Sequence, residues 1–106
     1  MNEELKEGLR AQPKKVYEAS ARYRAAKTEL ETFDAASRVA VKADGVKRTE
    51  ADTDALVLMA KGRGDIVVKF GFAEAEIAAA ETQTKCLLAE ASLVSAETAA
   101  MGRISQ

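Results

Sequence analysis

Apolar residues recurring at every seventh position run through almost the whole chain, in two blocks separated by a single stop. A repeat of this kind belongs to helices that bury one seam against another helix. In the first block, Leu9, Val16, Tyr23, Leu30 and Ser37 make one set, and Leu5, Gln12, Ala19, Ala26, Phe33 and Ala40 make its companion. In the second, Met59, Ile66, Ala73, Ala80, Leu87, Val94 and Met101 form one set. Leu56, Arg63, Phe70, Ile77, Thr84, Ala91 and Thr98 form the other. Between the blocks stands Lys42-Ala43-Asp44-Gly45, a helix stop with glycine placed for a left-handed turn. Thr49-Glu50-Ala51-Asp52 follows, an N-cap threonine with an acid three residues on.

These signals predict an all-α chain: an antiparallel two-helix hairpin, coiled-coil-like, in a single domain over 1–106. The first helix covers about 2–44, the turn 45–48 and the second helix about 50–103. Pro13 can start a helix or bend one, so a break at 12–13 stays open. The stretch from Gly62 to Phe72 holds three glycines and a β-branched run, which read locally as a strand. The repeat passes through it without a slip, which favours helix.

Size complementarity suggests a register. If residues whose numbers sum to about 96 face each other, large meets small in most layers, as dense packing requires. Val16 then meets Ala80, Ala19 meets Ile77, Tyr23 meets Ala73, Ala26 meets Phe70 and Ala40 meets Leu56. Gln12 meets Thr84 as a polar layer, Leu9 meets Leu87, and Phe33 lies beside Gly62-Arg63-Gly64, where absent side chains would leave room for its ring.

A second apolar stripe occupies the other side of the second helix. Leu58, Val68, Phe72, Ala75, Ala79, Cys86, Ala89, Leu93, Ala96 and Ala100 follow three- and four-residue steps, with gaps at Lys61, Asp65 and Thr82. A helix apolar on two sides is expected to be covered on two sides. The expectation is a homodimer or higher oligomer with Leu58, Val68, Phe72, Ala79, Cys86, Ala89 and Leu93 at its interface. Cys86 reads as a small apolar member of this stripe, with an intermolecular disulfide as the alternative.

Composition removes several function classes. Histidine is absent, and with it the commonest general base and the imidazole that would activate Cys86. No catalytic set, metal set or cofactor motif is expected. Asp52-Thr53-Asp54 lacks the glycine and downstream glutamate of a calcium loop and fits a helix N-terminus instead. Arg63-Gly64-Asp65 matches a short integrin-recognition tripeptide, too short to carry a function.

Net charge is −1, against a dedicated nucleic-acid binder. Charge is unevenly spread, however: residues 1–50 carry 11 Lys/Arg and 9 Asp/Glu, and residues 51–106 carry 5 and 8. Lys14, Lys15, Arg24, Lys47 and Arg48 are therefore the candidate phosphate contacts of an alternative, nucleic-acid-associated accessory role. A charged first decapeptide, one cysteine and no apolar run of ~18 residues lead to the expectation of a cytoplasmic protein without a membrane span.

Thr49 with Asp52 at a helix start, and Ala73-Glu74 inside a long Ala/Glu helix, resemble small uncharacterised helical-hairpin (coiled-coil) proteins encoded by bacteriophages. The resemblance covers most of the chain. It implies no catalytic residues, residence in the host cytoplasm, and action by protein binding, as an assembly factor, a host-factor inhibitor or an anti-defence protein. The secreted hairpins that carry a Trp-x-Gly turn are a poorer comparison, because Lys42-Ala43-Asp44-Gly45 stands at that place.

Overall fold

The computed structural model describes residues 2–105 and is all-helical, with α1 over Glu3–Lys42, α2 over Glu50–Leu58 and α3 over Arg63–Ser105. No strand occurs among the described residues, and 65–72 lie within α3. α1 opens on Asn2, whose side-chain oxygen accepts from the Leu5 N–H at 2.7 Å. It then runs through Pro13 without a break, so the open question at 12–13 resolves as continuous helix.

The second helix expected over 50–103 is interrupted. The Ala60 N–H turns to the Val57 carbonyl at 3.2 Å and the Arg63 N–H to the Ala60 carbonyl at 3.1 Å, both three residues back. Gly62 sits at φ +90°, a conformation that side-chain-bearing residues avoid. What the repeat reads as one helix is thereby cut into two.

The chain divides into two compact units. The terminal unit combines α1 up to Ser20 with α3 from Glu76. Its core is Leu5 and Ala19, with Ala80, Leu87, Ala91 and Val94 half-buried. Gln12 is buried there, and its amide nitrogen donates to the Ala80 carbonyl at 2.8 Å and to Thr84 Oγ1 at 3.0 Å. Thr84 in turn donates to Ala80 O at 3.0 Å, and Gln12 Oε1 is left without a partner. Gly8 lies so near Leu87 that a Cβ would stand 3.3 Å from Leu87 Cδ2.

The turn unit spans Ala21–Ala75. Ala26, Val57 and Ala73 are its buried apolar residues and Thr53 its buried polar one. Tyr23 and Phe70 rings meet at 5.4 Å, tilted by 31°. Arg63 grips Asp34 with two nitrogens, at 2.8 and 3.2 Å, and Lys69 reaches Glu29 at 2.9 Å. The turn closes on Gly45 at φ +74° and on Asp44, which accepts from the Val46 N–H at 2.9 Å. Thr49 caps α2 by accepting from the Asp52 N–H at 3.1 Å, as its sequence signature predicts.

Two details of the expected register fail in this unit. Ala40 and Leu56 are both exposed, so that layer does not form, and Met59 is 80 % exposed. Side chains added at Gly62 or Gly64 would meet nothing within 4 Å, so these glycines make no socket for Phe33.

Candidate interaction surface

The seam side of α3 is the covered side. Within the turn unit Arg63, Ile66, Phe70 and Ala73 are its covered positions; within the terminal unit they are Ile77, Ala80, Thr84, Leu87, Ala91 and Val94. Steps of three and four connect them, the spacing of one helical face. Positions two residues away lie roughly 200° around the helix, on the opposite side. That opposite side carries the second apolar stripe, and it is bare.

In the turn unit, Val68 is 58 % and Phe72 73 % exposed, and Leu58 on α2 is 61 % exposed. In the terminal unit, Ala79, Cys86 and Ala89 are exposed, as is Leu93. All seven residues named for an interface therefore face outward within their own units. Single exposed apolar residues are ordinary; a run of them at helical spacing on one face is not.

The candidate phosphate contacts fall in both units. Lys14 and Lys15 belong to the terminal unit, where Lys14 lies 3.9 Å from Glu18. Arg24, Lys47 and Arg48 belong to the turn unit. Arg48 is already engaged: its guanidinium donates to both Asp44 oxygens, at 3.0 and 2.6 Å, and to the Val41 carbonyl at 3.0 Å. That hydrogen bond holds the Asp44 carboxyl below its ordinary value and raises Arg48.

A second charged cluster has no forerunner in the sequence reading. Arg38 contacts Glu50 at 3.3 Å and Asp54, and Lys42 lies 3.9 Å from Glu50. Glu50 and Asp54 are four residues apart, hence on one face of α2, which is the signal that could have paired them with a cation. Hydrogen bonding to Asp54 raises Arg38, and bonding to Asp34 raises Arg63. Asp34, Ala35, Arg38, Asp54, Val57 and Leu58 line an open depression of ≈ 430 Å³. Its charged groups are spent on one another, so it presents mostly apolar wall.

No family model, curated protein or solved structure matches this chain. Among the described residues, no group of three or more Cys, Asp or Glu is placed to hold a metal ion. No helix among them is long and apolar enough to cross a membrane.

Proposed function

We propose that this chain is an antiparallel helical hairpin that works as a non-catalytic, self-associating binding protein, with the outer face of α3 as the contact between copies. The observation that carries the reading is the bare apolar stripe of α3: Val68 and Phe72 are 58 % and 73 % exposed within the turn unit, and Leu93 is 60 % exposed within the terminal unit. Twofold pairing is the commonest closed arrangement.

Three further points support the reading. Pairs in the terminal unit (Gln12 with Thr84, Gly8 with Leu87) and in the turn unit (Glu29 with Lys69, Asp34 with Arg63) run in opposite chain order, as a hairpin requires. Small residues at Ala79 and Ala89 allow a second helix to come near, while Phe72 and Leu93 offer area to bury. Arg48 is held by Asp44 and Lys14 lies against Glu18, which disfavours the nucleic-acid role. By the phage resemblance, a further protein partner would come from assembly, host or defence machinery.

Sedimentation equilibrium across micromolar concentrations tests the reading. A dimer mass is expected for the natural chain and a monomer for Phe72→Glu. A natural chain that stays monomeric throughout would sink the proposal.

A further inference from the structure

Within the turn unit, the join between α2 and α3 is built from parts that fit two conformations. In the observed one, Gly62 takes φ +90°, and Met59–Gly62 interrupt the helix. Yet the sequence repeat crosses this join in step: Leu56, Met59, Arg63, Ile66 and Phe70 keep the three- and four-residue spacing of one helical face. Only its α3 part is used. Leu56, Leu58 and Met59 stand 40 %, 61 % and 80 % exposed, three wet apolar side chains within four residues.

What holds α2 where it lies is the burial of Thr53 and Val57, with the register set by the Arg38 cluster. Arg38 binds Glu50 and Asp54, while Arg63, the first residue of α3, binds Asp34 four residues earlier on α1. On α1 those anchors are one helical turn apart, whereas Asp54 and Arg63 are nine residues apart. Continuous helix cannot connect both anchors at that separation, since nine residues rise about 13 Å and one turn only ~5.4 Å. The excess chain is taken up at Met59–Gly62.

We infer that Met59–Gly62 is a two-state hinge: α2 either docks through Arg38, as seen, or releases it and continues α3 as a single helix. In the second state Leu56 and Met59 rejoin the apolar seam toward the Ser37–Ala40 turn of α1. The amides of Lys61 and Gly62 gain helical acceptors at Val57 and Leu58. The docking contacts of Val57, Thr53 and Arg38 are given up. Because Leu56, Leu58 and Met59 are presented differently in the two states, any ligand that touches them shifts the balance.

The test is Gly62→Ala in the full chain, read by ¹³Cα chemical shifts and amide exchange over Met59–Arg63. Alanine is strained at φ +90° and is the best helix former, so both effects push toward the continuous helix, by roughly thirtyfold or more. Helical shifts through residues 59–63, with slowed exchange at Lys61, are expected. Gly62→Asn, which tolerates positive φ better, should keep the break. Arg38→Ala, which frees α2 and leaves Gly62 intact, should shift the same resonances part of the way that Gly62→Ala does. If Gly62→Ala keeps non-helical shifts at 59–62 and only lowers stability, or if it unfolds the chain and Arg38→Ala leaves those shifts unmoved, the hinge is refuted.

Discussion

Single residues here act mostly through what they leave unsatisfied. Gln12 is 3 % exposed, donates twice, and has an acceptor oxygen with no partner. A buried acceptor without a hydrogen bond costs about 1–3 kcal/mol, against ~1 kcal/mol for each bond made. Gln12→Met keeps the shape and removes the orphan, while Thr84 still satisfies itself on Ala80 O. Urea unfolding should show a stability equal to the natural chain or up to about 1 kcal/mol higher. A loss above ~2 kcal/mol would mean that the Gln12 bonds outweigh the orphan. What glutamine adds is register, since a polar layer penalises a slip. Asp44 gives a pH dependence of definite sign. Arg48 first, and the Val46 N–H second, hold its carboxyl below the ordinary 3.8. As pH falls, the unfolded chain takes up this proton before the folded one does. The stabilisation is therefore full above the ordinary value and is lost as pH drops through 3.8 to the lower folded value. The pair is open to water, so salt should weaken it. Asp44→Asn should flatten the corresponding part of a stability-against-pH curve, lie below the natural chain's curve above pH about 5, and approach it at the acid end.

At the level of elements, α1, α3 and the start of α2 were legible, and the end of α2 was not. Along α3 the covered positions from Arg63 to Val94 are the two sequence sets, and on α1 the sets hold as far as Ser37. They are legible because burial on a helix repeats, and the repeat is unbroken there. Gln12 opposite Thr84 was legible for the same reason. The sets fail at Thr98 and Met101 near the end of α3, and at Ala40, Leu56 and Met59, where a fixed register no longer decides the contacts. Arg38 drawing Glu50 and Asp54, and a glycine able to adopt positive φ, outweigh the continuity of an apolar pattern over nine residues. Spacing alone carries neither of those terms. The outer stripe was legible as a pattern, because its residue types show what is apolar but not what covers it. Glycine itself makes a prediction at this scale. Gly71 lies inside α3 with nothing within 4 Å of where its Cβ would stand. Gly71→Ala therefore gains helix propensity without a clash, and thermal or urea unfolding should show about 0.5–1 kcal/mol of added stability. Thr49→Ala works the other way, removing the oxygen that satisfies the Asp52 N–H, and should cost about 1 kcal/mol in the same assay.

For the molecule as a whole, the balance between core and surface decides what state the chain occupies. Among the described residues the buried apolar ones are few and mostly small: Leu5, Ala19, Ala26, Val57 and Ala73. Alanine removes little apolar area from water, so three of these five add little to the stability that a folded domain keeps. The exposed Phe72 and Leu93 are larger than most of the residues inside. A chain built this way gains more by covering its outside than by tightening its interior. Covering by a second copy makes unfolding bimolecular in reverse, so stability depends on concentration. With an unfolding entropy near 2.1 cal/mol/K per residue for both copies, each tenfold increase in concentration should raise Tm by roughly 3 °C. Leu93→Glu places a charge on the outer face at a site 60 % exposed within the single chain, where it disturbs no core contact. Its melting temperature should lie below that of the natural chain and be independent of concentration. If the natural chain melts at one temperature from micromolar to millimolar, its stability is its own, and the outer face of α3 is not where copies meet.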